Sequence, residues 1–335
     1  MKHIIAWLPL LCPIAFAEDW PEWRGKGRQG EFREEGILDK FPDGGLTVRW
    51  RVPVHSSFAG PAVADGRVFV MDWRKQQGNR GTERVLALDE KTGKVLWTRE
   101  WPADYTGLQG TYAIGPRATP TVDGGRVYVQ GAMGALFCLN AATGEIVWSA
   151  DYVKDFKTRV PVWGMTAAPL VAGNRLICLV AGEENSKVMA FDKMTGKVAW
   201  RALDANSEPG YSPPIMILAG GRQQVIQWHA GGVASLDPET GSLFWQHPWR
   251  VNNGLAVGTP VHSGSKLFVS AFYNGPVMFH LDSEKPGMRM AWKGKSDRRG
   301  RSLGLALLRH TRRGRRRPDH GGKSGVSAKA TAWWQ

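Results

Sequence analysis

Four segments of this chain align without a gap: Asp89-Glu-Lys-Thr92-Gly93-Lys-Val-Leu-Trp97, Asn140-Ala-Ala-Thr143-Gly144-Glu-Ile-Val-Trp148, Asp192-Lys-Met-Thr195-Gly196-Lys-Val-Ala-Trp200 and Asp237-Pro-Glu-Thr240-Gly241-Ser-Leu-Phe-Trp245. A fifth segment, Asp282 to Trp292, lacks the threonine and is two residues longer, and Trp50 matches only the end of the pattern. Successive tryptophans are 47, 51, 52, 45 and 47 residues apart. A period of this size excludes a fold with one unrepeated core and requires one supersecondary unit stacked on copies of itself.

Each element of the motif has a mechanical reason. An Asp or Asn placed three residues before Thr caps local backbone N–H groups, and the glycine accepts a positive φ, so the motif predicts a hairpin. The strand leaving the hairpin ends in a tryptophan whose large apolar area is best buried between adjacent sheets. Upstream lie pairs of short strands: Gly60 to Val63 then Gly66 to Val70, Thr119 to Val122 then Gly125 to Val129, Ala168 to Val171 then Gly173 to Val180, and Thr259 to Val261 then Gly264 to Val269. The fold class is therefore all-β, a β-propeller of four-stranded blades, of which about five are readable. Closed propellers have about 4–8 blades. Five blades and a solitary strand ending at Trp50 predict an incomplete ring, with Trp97, Trp148, Trp200 and Trp245 equivalent between blades.

These blades resemble the pyrroloquinoline-quinone-like (PQQ-like) propeller repeat, shared by quinoprotein dehydrogenases and by the BamB-type scaffold of outer-membrane protein assembly. The stretch Asp19-Trp20-Pro21-Glu22-Trp23-Arg24-Gly25 is similar to exported bacterial members of that superfamily. The resemblance covers residues 18–296 and implies a seven- or eight-bladed propeller, of which this chain would be an incomplete ring, with either a binding role or, in the alternative, PQQ-dependent dehydrogenation. The dehydrogenase pattern implies an adjacent cysteine pair under the cofactor, a calcium held by carboxylate and amide groups, and an aspartate base. This sequence has no Cys-Cys, so no cofactor and no catalytic residue is expected. PQQ and calcium belong only to the alternative.

Residues 1–17 read as a secretory signal: a short basic start, an apolar run too short to span a bilayer, and Ala15-Phe16-Ala17 at the cleavage positions. The expected location is periplasmic or extracellular. Cys138 and Cys178 lie in apolar runs where a buried thiol is the usual occupant, with a disulfide the alternative. The formal charge of +14 suggests nucleic acid until its distribution is read. Residues 293–335 hold 13 basic and 2 acidic side chains, so +11 of the charge lies there and only +3 on residues 1–292. No specific nucleic-acid partner and no transmembrane segment is expected.

A ligand would meet the chain where each outer strand returns to the next inner strand, because those returns gather on one face around the axis. They hold the binding-face candidates Tyr112, Arg117, Arg159, Trp163, Glu208, Tyr211, Trp249, Arg250 and Asn252, which are otherwise loop packing and solvated charge. A protein partner or a small ligand is expected there. Asp89, Asp192, Asp237 and Asp282 are turn residues by their place in the repeat. The histidines are scattered without metal-ligand spacing. Gly321-Gly322-Lys323-Ser324 has Arg317 where a phosphate loop needs glycine.

From about residue 297 the blade grammar stops and Arg- and Gly-rich runs begin. A solvated tail and an anion-binding arm are two readings. The preferred reading is a frameshift, since out-of-frame GC-rich coding sequence yields this composition. It predicts that another reading frame beyond codon 296 resumes the grammar: Thr-Pro or Ala-Pro, a Gly-led apolar strand, then Asp-x-x-Thr-Gly and a closing Trp. Sequencing the gene across codons 285 to 335 checks this, and an intact frame with no hidden blade refutes it.

Overall fold

The computed structural model describes residues 18–31, 38–110, 114–204 and 206–295. The segment read as a signal and the tail from residue 297 lie outside them. The described strands form five four-stranded antiparallel sheets, each from consecutive strands. The first holds β1 (Ala62–Ala64), β2 (Arg67–Gln77), β3 (Arg80–Asp89) and β4 (Val95–Asp104). The second holds β5 (Thr121–Asp123), β6 (Arg126–Gln130), β7 (Ala135–Asn140) and β8 (Ile146–Asp151). A short helix, α1 (Tyr152–Phe156), leads to the third: β9 (Leu170–Ala172), β10 (Arg175–Gly182), β11 (Ser186–Asp192) and β12 (Val198–Ala202). The fourth holds β13 (Ile215–Ala219), β14 (Arg222–His229), β15 (Gly232–Leu236) and β16 (Leu243–Pro248). The fifth holds β17 (Val261–Ser263), β18 (Lys266–Ala271), β19 (Gly275–Leu281) and β20 (Met288–Lys293).

The hairpin joining the last two strands of each sheet is built as its chemistry dictates. Asp89 Oδ1 accepts from the Thr92 amide at 2.8 Å and its hydroxyl at 2.7 Å, and these bonds hold the carboxyl below its usual range. Asn140, Asp192 and Asp237 accept from the equivalent threonine amides. Gly93, Gly144, Gly196 and Gly241 all lie near φ +70°, as the turn requires. In every sheet the fourth strand carries a register irregularity beside its tryptophan, between Ala87 and Leu88 in the first and Met278 and Phe279 in the last. The bulge re-aims the indole out of its own sheet and toward the next.

There the indole meets a glycine. A Cβ added at Gly93, Gly144, Gly196 or Gly241 would lie 2.6 Å from the ring of Trp50, Trp97, Trp148 or Trp200 respectively. Each of those indoles also donates Nε1–H to a hairpin carbonyl of the sheet it lands on: Trp50 to Glu90 at 2.9 Å, and Trp97, Trp148 and Trp200 to Ala141, Lys193 and Pro238 at 3.0 Å. The buried clusters follow the same order. One joins the first sheet to the second, and others join second to third, third to fourth, and fourth to fifth. None of these joins the fifth to the first, where Trp50 and Val52 cover the flank around Leu86 and Leu88.

Two expectations need correction. Trp245 has the same strand register as the other three, pairing Ser235 as Trp97 pairs Ala87, but it does not make the same contact. The hairpin ahead of it, from Asp282, lacks Thr-Gly, so Trp245 turns its Nε1–H to Gln224 within its own sheet at 3.0 Å and packs beside Phe279. No strand forms among the described residues before Trp50, although its indole docks on Gly93.

The seat predicts a graded cost. Gly66 also lies at positive φ but has open space where a Cβ would go, so Gly66→Ala costs about 1–2 kcal/mol for left-handed backbone alone. Gly144→Ala adds about 1–3 kcal/mol for displacing Trp97. Urea unfolding of both variants, read as midpoint shifts at constant slope, checks the difference.

Candidate functional site

A segment ahead of the first sheet, residues 20–28, is bonded to the first strands of the sheets or to the residues leading into them. Trp20 exchanges backbone hydrogen bonds with Val63 on β1, and Pro21 O accepts from Val122 N on β5 at 2.8 Å. Arg28 donates Nη1–H to Ala168 O at 3.0 Å and to Pro214 O at 2.9 Å, and Nη2–H to Pro169 O, the carbonyls that precede β9 and β13. Trp23 Nε1 donates to Thr259 Oγ1, just before β17, at 2.8 Å. Residues 20–28 thus touch the innermost strand of every sheet or the residues leading into it. Arg28 is buried, and desolvation lowers its pKa against the opposing carboxylate of Glu22, 2.7 Å from Nε. Gly25, at φ +73°, lies under the Trp20 ring as the hairpin glycines lie under theirs. Sequence reasoning missed this role for Arg28; three glycines at 25, 27 and 30 around one arginine were the available signal.

The candidates on the returns divide into three groups. Arg117, Trp163 and Tyr211 come together. Arg117 donates to Trp163 O, and its guanidinium lies 5.6 Å from the Trp163 ring centroid and 5.7 Å from that of Phe58. Burial lowers the Arg117 pKa and raises that of Tyr211 to about 12. Arg159, Glu208, Arg250 and Asn252 line two adjoining clefts between the third, fourth and fifth sheets, of about 530 and 710 Å³. The third group is Trp249 alone. It is buried, stacks on Trp228 at 5.7 Å and 9°, and is covered by Lys293, so it is packing and not an open binding surface. Tyr112 lies outside the described residues.

Two buried polar groups on this face were not foreseen. Glu83 accepts from Trp101 Nε1 at 2.8 Å, Tyr105 OH at 2.6 Å and Ala132 N at 2.8 Å, which together oppose the upward push of its burial. Lys187 on β11 donates to Ser207 Oγ at 2.7 Å, and burial brings its pKa down to about 8.

The cofactor of a quinoprotein does not fit these residues. Cys138 and Cys178 are free, buried thiols on β7 and β10 within the cluster joining the second and third sheets. Burial raises them to about 11 and 12. They form no pair that could sit under a quinone. No group of three or more His, Cys, Asp or Glu suited to a metal occurs among the described residues.

The fold and repeats define a PQQ-like β-propeller. The chain belongs to the family described as outer membrane protein assembly factor BamB, whose profile matches residues 43–115 and 81–301. Among curated relatives, quinohemoprotein alcohol dehydrogenase ADH IIB of Pseudomonas putida is 28% identical over 67% of this chain and 33% of its own length. The outer membrane protein assembly factor BamB of Burkholderia pseudomallei is 25% identical over 56% of this chain and 57% of its own. The solved quinohemoprotein alcohol dehydrogenase of Comamonas testosteroni superposes with a TM-score of 0.57 at 19% identity, over 87% of this chain and 52% of that one. The chain spans about a third of the length of the dehydrogenases it matches. No described helix is long and apolar enough to cross a membrane.

The axial segment yields the prediction. Arg28→Met removes the donor from three carbonyls and leaves Glu22 without its cation, at an expected cost of about 3–5 kcal/mol. Arg24→Met removes only an exposed bond to Gln29 O and should cost under about 1 kcal/mol. Thermal unfolding of the two variants side by side measures the gap.

Proposed function

We propose that the chain is an exported propeller acting as a binding or assembly scaffold, taking a protein partner or a small ligand on the axial face formed by its returns. The observation that carries this reading is the contrast between the two parts of the repeat. Acidic and aromatic residues inside the motif are consumed by turns and inter-sheet seats. The returns instead carry unrepeated side chains, with Arg117 held between Phe58 and Trp163 and Arg159, Glu208, Arg250 and Asn252 around open clefts. Family membership beside an outer-membrane assembly factor favours an assembly role. The signal-like residues 1–17 favour periplasmic or extracellular placement.

The dehydrogenase alternative rests on the names of several relatives. Against it stand the separated thiols Cys138 and Cys178, and residues 20–28, which are bonded across the inner side of the sheets. One experiment separates the readings. A photo-crosslinker replacing Arg159, on the cleft rim, should give a discrete adduct with a partner in the exporting host, while one replacing Val95, on the outer strand, should not. Arg117→Ala should weaken that adduct about tenfold, the scale of one buried arginine contact. A stoichiometric quinone and calcium complex that oxidises alcohols, with no adduct at 159, would overturn the scaffold.

A further inference from the structure

Ser207 stands on the ridge between the two clefts and lines both, with Asn206 and Glu208 beside it. Behind it lies Lys187, 2% exposed, with Nζ 2.7 Å from Ser207 Oγ. The hydroxyl is half-buried, so one side faces the clefts and the other faces an amine that solvent does not reach. Two further groups face Lys187. Asp204, on the same return as Ser207, favours the ammonium but is outweighed by burial, and the amine comes down to about 8. His229, at the end of β14, is itself brought down to about 3 by burial and then by the lysine's charge, and so is neutral at pH 7. Its Nδ1 accepts from Gly231 N at 3.1 Å, while Nε2 is buried without a hydrogen-bond partner.

Gly231 makes the cluster possible. A Cβ there would lie 2.7 Å from Ser207 Oγ and 3.1 Å from His229 Cε1, although no positive φ demands glycine at this position. The requirement is for space, and that space holds the serine against the lysine. We infer that Ser207 is a nucleophile and Lys187 its general base, a serine–lysine pair that accepts an acyl group from an ester, or an equivalent electrophile, presented in the clefts.

The chemistry balances without a cofactor. The free amine of Lys187 takes the Ser207 proton as the Oγ–carbon bond forms, and the carbonyl oxygen gains the negative charge. Asn206, Arg159 and Arg250 on the cleft walls are donors for that oxygen. The carbon–oxygen bond to the leaving group then breaks, and the departing alkoxide takes the proton from Lys187. Water repeats the sequence on the acyl-serine, so ester and water become acid and alcohol with no change of oxidation state. A serine alone is a weak nucleophile at neutral pH; an amine brought down to about 8 and hydrogen-bonded to the reacting oxygen is what activates it. The thiols Cys138 and Cys178, buried and raised to about 11 and 12, offer no competing nucleophile.

The test uses the full chain and phenylmethanesulfonyl fluoride, which forms an Oγ–sulfur bond and expels fluoride as Lys187 takes the proton. Peptide mapping should place one sulfonyl group on Ser207, at a rate that rises with pH through about 8, because the free amine is the active form. Ser207→Ala should abolish the adduct with an unchanged unfolding midpoint. Lys187→Arg keeps a cation but removes the base, and should slow labelling about 100-fold or more. Gly231→Ala, by displacing Ser207, should slow it as well. No adduct at Ser207 in the folded wild-type protein at about pH 9, where most of the amine is free, would overturn the inference, as would undiminished labelling of Lys187→Arg.

Discussion

The structure depends on one contact, an indole laid flat on a glycine that has no Cβ to hold it away. The contact does two jobs. Its apolar area closes the gap between neighbouring sheets, and its Nε1–H, which would be costly to bury alone, finds a carbonyl in the same hairpin that supplies the glycine. That hairpin is in turn fixed by its own Asp or Asn and Thr. A local turn preference and a long-range packing contact therefore use the same residues, and neither forms fully without the other. Coupling between nearest neighbours is the energetic pattern expected of a stacked repeat.

The ends of the repeat show what happens when half of the contact is missing. Trp50 has its glycine, and it docks on Gly93 although the described residues before it form no strand. The seat, and not the strand, holds that segment to the first sheet. Trp245 has the strand and the bulge but no Thr-Gly hairpin to receive it, and Gln224 from its own sheet satisfies the indole N–H instead. The interface between fourth and fifth sheets is then carried by side chains such as Phe279, Val277 and Leu267, a broad apolar cluster in place of the seat.

What the sequence made legible follows from this. Thr-Gly and Trp at fixed spacing report backbone conformation and burial together, so the five four-stranded blades and the order of their strands could be read from residues alone. The failure at Trp245 was also written there, in the two extra residues and missing threonine after Asp282. The axial segment was not legible, because Arg28 meets carbonyls from the third and fourth sheets that are 140 to 186 residues away, and no local pattern encodes such a contact. On the returns, Arg117, Trp163 and Tyr211 were chosen individually and proved to be neighbours, whereas Trp249 was absorbed into a stack with Trp228. Aromatic residues in a return read identically in sequence whether they face a ligand or another ring.

The two buried groups found only in the structure stand at adjacent positions of the repeat, and that part of the repeat explains why they escaped notice. Counting five residues back from the hairpin Asp or Asn gives Arg84, Ala135, Lys187, Gly232 and Val277 in the five sheets, and six back gives Glu83, Gly134, Ser186, Gly231 and Pro276. These residues stand where the third strand nears the returns, beyond the part of the blade that must match its neighbours in shape. Near the hairpin, the first four sheets repeat the same turn and glycine because the indole seat fixes the spacing there. At the other end that constraint is gone, and unlike residues are tolerated: a carboxylate holding three donors in the first sheet, a lysine behind a serine in the third, glycine making room for both serine and histidine in the fourth. A periodic scaffold thus carries its individual chemistry where its period is weakest, which is where an alignment of its own repeats finds nothing to align.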